Sequence, residues 1–238
     1  MENKGSKVKD VSIVVLVLAV LVMGGYLISG RVGSTETAKG AETKVAGAAT
    51  VNGTVISKDI FDTQLAAAVA TYKAQGVDVT DAAKLATIKT EVLTNLTNNE
   101  VLNQAVVASG IKATPEDIEK QFQAIVTQAG GTDKFKDELV KNNLTEEKLR
   151  DNLAKQLATQ TYLLQNIDTK SITVTDGEIA QFYADYSKAQ TAAGAKTVPT
   201  LKELSDQIKQ QIIVNKQNAL VATLIASLRE KAKIETTI

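Results

Sequence analysis

Apolar side chains recur at helical spacing, between clear start and stop signals, along most of this chain. The first such stretch follows Ser57, a favourable N-cap residue, and ends at Gly76. Within it an apolar stripe advances by four, four and three residues, formed by Phe61, Leu65, Val69 and Tyr72. Because this spacing places the four side chains on one face of an α-helix, we expect that face to pack against a core.

Similar patterns predict further helices along the rest of the chain. They begin near Thr80, Thr114, Thr145, Thr175 and Pro199, and a short helix surrounds Phe135. Aromatic residues make up only 4% of the chain and it has two prolines, which favours an open body with surplus apolar surface. The expected fold class is all-α, mainly helical: an extended multi-helix domain.

Two short segments have β-strand character. Val51–Ile56 places β-forming residues around an Asn-Gly pair, which is typical of a hairpin turn. Ile234–Ile238 is also rich in β-branched residues. We therefore predict a small pairing between these N-terminal and C-terminal segments, closing the domain as one unit.

An uncharged segment of 18 residues, Val11–Ile28, precedes the helical region. As a helix it spans about 27 Å, close to the thickness of a bilayer core, and is interpreted as an N-terminal transmembrane helix. The alternative is a cleaved signal peptide, although the small-residue cleavage pattern is poor. Lys4, Lys7 and Lys9 lie before the segment, which favours a cytoplasmic N-terminus.

The resulting organisation has four parts. We expect a cytoplasmic tail over residues 1–10, the transmembrane anchor over 11–28, a flexible tether over 29–50 and a helical domain over 51–238. The tether is rich in Gly, Ala, Ser and Thr and lacks apolar periodicity. The expected location is the cell membrane, crossed once, with the soluble domain on the extracytoplasmic side.

Composition argues against several classes of function. The chain has no Cys and no His, which removes thiol chemistry and the commonest metal ligand and general base. Lys plus Arg and Asp plus Glu are both 27, and no basic block stands out, so nucleic-acid binding is not expected. We expect no catalytic residues, no metal, no cofactor and no small-molecule substrate.

A series of short motifs follows the helical pattern in order. It includes Val51-Asn52-Gly53-x-x-Ile56, Gly110-Ile111-x-x-Thr114-x-Glu116-x-Ile118, Gly130-Gly131-x-x-x-Phe135, Val174-Thr175-x-x-Glu178-Ile179-x-x-Phe182-Tyr183 and Leu228-Arg229-x-Lys231-Ala232-Lys233-Ile234. Their order resembles the N-terminal chaperone domain of SurA-type periplasmic folding factors. The resemblance extends from about residue 50 to residue 238.

This resemblance implies a chaperone without an enzyme. In the family, the part that resembles Thr175–Ser187 is commonly followed by parvulin-type prolyl isomerase domains. Here a short stretch around residues 188–198 stands at that junction, a length typical of a loop. Parvulin sites also usually contain histidine. The implied function is a holdase, and the implied partners are unfolded or nascent exported polypeptides.

The candidate client-binding residues are apolar groups that a helical core does not obviously require. They are Phe122, Ile125, Phe135, Tyr183 and Tyr186. Two other classes of function stay open. The helical body could instead be a membrane-tethered scaffold that docks one specific envelope partner, or a prolyl isomerase of an unrecognised type.

Overall fold

The computed structural model describes residues 47–237, which form seven α-helices and three short strands. The strands are β1 (Gly47–Val51), β2 (Thr54–Ser57) and β3 (Ile234–Thr236). The helices are α1 (Lys58–Ala74), α2 (Ala82–Ser109), α3 (Pro115–Gln128), α4 (Thr132–Lys141), α5 (Glu146–Asn166), α6 (Asp176–Ala192) and α7 (Leu201–Glu230). The prediction of a mainly helical fold with a small strand pairing is confirmed.

Most helix starts follow from the local capping chemistry. The side chains of Ser57, Thr114 and Thr175 accept hydrogen bonds from the first turns of α1, α3 and α6, as their positions predicted. The start of α2 differs slightly, because Asp81 rather than Thr80 is the N-cap. The last helix begins at Leu201. Just before it, the Thr200 N–H donates to the Glu203 carboxylate, and Thr200 Oγ1 accepts from the Glu203 N–H.

The predicted pairing of N-terminal and C-terminal segments is confirmed in part: β3 pairs with β1, which shares only Val51 with the predicted segment Val51–Ile56. The small sheet has three strands. Their order is β2-β1-β3, with both pairs antiparallel. In the β1–β3 pair, Val51 lies opposite Ile234. Asn52 and Gly53 form the hairpin turn between β1 and β2 at φ 50° and 86°, the left-handed conformation that an Asn-Gly turn requires.

The boundary between tether and domain needs a correction. We predicted a tether through residue 50, whereas β1 begins at Gly47 and is the central strand of the sheet. Ala48 and Ala49 are fully buried, at 0% exposure. Small side chains carry little strand propensity, so it is packing under neighbouring elements rather than local preference that makes this segment a strand.

The described residues divide into two compact units. One contains residues 47–162 together with 225–237, and the other contains residues 163–224. The division falls inside α5 and inside α7.

Three clusters of buried apolar residues belong to the core of the first unit. Ala48 packs with Phe61, Ile88 and Val92 of α1 and α2, and a second cluster joins the sheet to Val101 of α2. The third cluster belongs to α3, α4 and α5 and consists of Phe122, Phe135, Leu149 and Leu153.

Arg229, near the end of α7, ties the chain end back to α2. Its Nη1 donates to Thr97 Oγ1 and to Asn98 Oδ1, at 2.8 Å each. Thr97 is only 2% exposed, so the guanidinium satisfies a hydroxyl that water scarcely reaches. Together with β3, this contact holds the C-terminal residues within the first unit.

The second unit contains the end of α5, a short 3-10 turn at Thr169–Ser171, α6 and most of α7. Its buried apolar side chains are Leu163, Ile208, Ile212 and Val221. The predicted anchor, residues 11–28, lies outside the described residues. Within residues 47–237, no helix combines the length and apolar character needed to cross a membrane.

Candidate functional site

An apolar stripe on α6 is only partly covered by the rest of the protein. It consists of Ile179, Phe182, Tyr183 and Tyr186, which follow one another at helical spacing on a single side of α6. All four side chains are half-buried, and α6 has no fully buried residue. We call these four residues the α6 face. By contrast, α2 buries six of its side chains.

The capping box at the start of α6 fixes the beginning of this helix. Thr175 Oγ1 accepts a hydrogen bond of 3.2 Å from the backbone N–H of Glu178, and the Glu178 carboxylate accepts one of 2.9 Å from the Thr175 N–H. The two donors would otherwise lack a helical partner. The α6 face therefore begins directly after a well-satisfied helix end.

Two further contacts join α6 to other segments of its own unit. Lys216 Nζ, on α7, lies 2.5 Å from Glu178 Oε1 and donates to the Thr173 carbonyl at 2.7 Å. The hydrogen bond from Lys216 lowers the pKa of the Glu178 carboxyl, so the pair stays charged as the pH falls into the usual carboxyl range. The Tyr183 hydroxyl donates to the Pro199 carbonyl at 3.0 Å.

The structure separates the five predicted client-binding residues between the two units. Tyr183 and Tyr186 belong to the second unit and lie on the α6 face. Phe122, Ile125 and Phe135 belong to the first unit. Ile125 is half-buried against the α3–α5 cluster. A client-binding role for Tyr183, Tyr186 and Ile125 stays a prediction.

Phe122 and Phe135 require a correction, since the structure places both in the core. They are 4% and 3% exposed, and their rings meet edge to face with centroids 5.3 Å apart. The Arg150 guanidinium lies over the Phe122 ring, with Cζ 3.7 Å from the ring centroid. Arg150 also forms an ion pair with Glu119. These contacts occupy both rings, so a client has no access to them in the folded domain.

Two members of the α6 face were not predicted as site residues. Ile179 and Phe182 enter the sequence analysis only as members of the motif that begins at Val174. Phe182, Tyr183 and Tyr186 follow Ile179 by three, four and seven residues, and this helical spacing is the sequence signal that connects the four side chains. Such a spacing identifies a shared face, but it does not say how much of that face another element covers.

A second surface feature lies between α1 and α2, in the first unit. It is an open recess in which the Tyr72 hydroxyl donates to Glu91 Oε2 at 2.7 Å. Because ionised Tyr72 would lose this bond and repel the carboxylate, its pKa is raised above the usual value. The other lining residues are Ala68, Thr71, Gln75, Val92 and Asn95. The mixed polar lining suits an apolar client less well than the α6 face.

The acidic side chains do not assemble into a metal site in the part of the chain that the structure describes. No group of three or more potential ligands comes together there. Asp78 accepts hydrogen bonds from Thr80, and the other carboxylates with lowered pKa values act as helix caps or ion-pair partners, as Asp81 does when it accepts the N–H groups of Ala83 and Lys84. The interactions that these carboxylates make stabilise the local fold.

The described residues form a mainly helical architecture with one small three-stranded sheet. The family model of the SurA-like N-terminal domain matches residues 2–162, about two thirds of the chain. The chain therefore belongs to the SurA-like N-terminal domain family. The α6 face lies beyond the matched residues. No curated protein matches the chain.

Proposed function

We propose that this protein is a membrane-anchored, extracytoplasmic holdase that binds unfolded exported polypeptides without isomerising their prolyl bonds. The observation that carries the proposal is the α6 face, where four large apolar side chains are each left partly open. Membership of the SurA-like N-terminal domain family supports the same class of function.

The α6 face suits weak binding of many sequences. Apolar contacts are non-directional, at about 25 cal/mol for each Å² removed from water, so they do not demand a particular client sequence. Two tyrosines and a phenylalanine also favour aromatic partners through edge and face contacts. The four side chains form a small contact surface, and small interfaces are typical of weak, transient encounters.

The proposed anchor, residues 11–28, would complement this weak binding. A domain held at the membrane has a higher effective concentration near chains that emerge there. The support for the anchor is the uncharged length of the segment and the three lysines that precede it.

The connection between α6 and α7 supports the absence of isomerase activity. It contains only residues 193–200, at the position where the related folding factors commonly carry a parvulin domain. Histidine, which parvulin sites usually contain, is missing from the chain. We therefore assign the protein to client binding rather than to catalysis.

The experiment uses a fragment of residues 45–238, which keeps every described strand and helix. Light scattering is followed for several unrelated, chemically unfolded proteins with and without the fragment. We expect slower aggregation for each client near stoichiometric amounts. In a refolding reaction limited by proline isomerisation, which takes tens to hundreds of seconds, we expect no acceleration.

Each half of the proposal can fail by itself. Faster proline-limited refolding would contradict the absence of isomerase activity. Unchanged light scattering for all clients would contradict the holdase, and stoichiometric capture of one envelope protein would then support the scaffold.

A further inference from the structure

The turn between β1 and β2 contains the sequence's single Asn-Gly pair, Asn52-Gly53. Both residues are exposed. In such a pair, the Gly53 backbone nitrogen can attack Asn52 Cγ, because glycine has no side chain to hinder it. A new C–N bond closes a five-membered succinimide and ammonia leaves. Water then opens the ring to aspartate or isoaspartate.

The folded domain holds the Asn52 side chain at both ends of its amide. Asn52 Oδ1 accepts from the Lys233 backbone N–H at 2.8 Å, and Asn52 Nδ2 donates to Gln104 Oε1 at 2.8 Å. The backbone N–H of Asn52 also donates to the Lys233 carbonyl at 2.8 Å. Because the Lys233 N–H can only donate, it fixes which end of the Asn52 amide is oxygen.

Attack by Gly53 requires the Asn52 side chain to turn toward the following peptide nitrogen. That rotation breaks both side-chain hydrogen bonds, one of which comes from the residue directly before β3. We infer that Asn52 is a site of spontaneous deamidation, and that closure of the sheet by β3 holds this reaction back. Deamidation at Asn52 then reports how often the C-terminal strand leaves the sheet.

Modification would also loosen the structure that suppresses it. Gln104 Nε2 is already committed to Val51 O, Thr54 Oγ1 and Glu100 Oε1, at 3.0, 3.1 and 2.7 Å. The amide of Gln104 therefore cannot turn its donor toward a new carboxylate at position 52 without losing these bonds. Instead, Gln104 Oε1 would face the added negative charge. Isoaspartate would in addition lengthen the backbone inside the tight turn.

The test follows deamidation of the full-length protein in detergent micelles and mildly alkaline buffer, by peptide mass spectrometry. The variant Lys233→Pro removes the N–H that Asn52 Oδ1 accepts. The matched control, Lys233→Ala, keeps that N–H and removes only the ion pair with Glu235, in which both side chains are exposed. Asn143, also at positive φ but followed by leucine, is an internal reference.

We expect Asn52 of the native protein to react more slowly than in the same protein unfolded in urea. Lys233→Pro should react about tenfold faster than Lys233→Ala, the effect of losing a hydrogen bond of ordinary strength. Equal rates in native and unfolded wild-type protein would overturn the inference, and so would equal rates in two folded variants. The wild-type comparison decides the matter if Lys233→Pro does not fold.

Discussion

Replacing Phe122 by alanine is expected to lower the free energy of unfolding by about 3–5 kcal/mol, the usual loss for a buried phenylalanine. Phe122 is 4% exposed and contacts Phe135 edge to face. The variant leaves a cavity among α3, α4 and α5 and removes the ring beneath Arg150. Urea denaturation of the fragment 45–238, followed by circular dichroism, measures the change.

Val140→Ala is a suitable control for this experiment. Val140 also belongs to α4 but is 77% exposed, so its truncation should change the free energy by no more than about 0.5 kcal/mol. A loss below about 1 kcal/mol for Phe122→Ala would contradict the placement of Phe122 in the core.

A fragment that begins at Val51 is expected to be far less stable than one that begins at residue 45. It lacks most of β1, the central strand, so β2 and β3 both lose the hydrogen bonds that pair them. Each such bond contributes about 0.5–1.5 kcal/mol, and a domain has only about 5–15 kcal/mol in total. The fully buried Ala48 and Ala49 are lost as well.

Urea denaturation of both fragments provides the comparison. A fragment of residues 47–238 is the control, because it keeps all of β1 and should match 45–238. We expect the shortest fragment to lose the cooperative transition of the first unit. The same midpoint and steepness for the fragment from Val51 would show that residues 47–50 belong to the tether after all.

The parts of the fold that depend on neighbouring residues were accessible from sequence. Ser57, Thr114 and Thr175 cap helices because the partner of each hydroxyl is a backbone N–H three residues away. The Asn-Gly turn is equally local. A pairing between the two ends of the helical region could be predicted because β-branched residues stand at both ends, although the strand that pairs with β3 is β1 rather than Val51–Ile56.

The start of β1 could not be predicted in this way. Gly47, Ala48 and Ala49 have no strand preference of their own. Ala48 packs against residues of α1 and α2, and Ala49 lies in a cluster with Val101 of α2. The burial of these small side chains therefore depends on residues distant in sequence.

The candidate site was predicted only in part, for a physical reason. The stripe that contains Phe122 and the stripe on α6 have the same helical spacing, since the spacing reports which side chains share a face. It does not report what covers that face. Partners from α4 and α5 cover Phe122, whereas Phe182 and Tyr186 are left half-buried.

Client binding by the α6 face is tested most directly by substitution of two of its residues. Phe182→Ser combined with Tyr186→Ser removes two aromatic contacts and leaves the Tyr183 hydrogen bond to Pro199 in place. Ala180→Ser with Ala184→Ser is the matched control, because both alanines are exposed and lie off the apolar stripe of the same helix.

The measurement is the concentration of each variant of the fragment 45–238 that halves light scattering by an unfolded client. Circular dichroism first establishes that both variants keep their helix content. If the α6 face binds clients, the aromatic variant needs about tenfold more protein than the control, equivalent to a loss of about 1.4 kcal/mol of binding. Equal potency of the two folded variants would contradict the account.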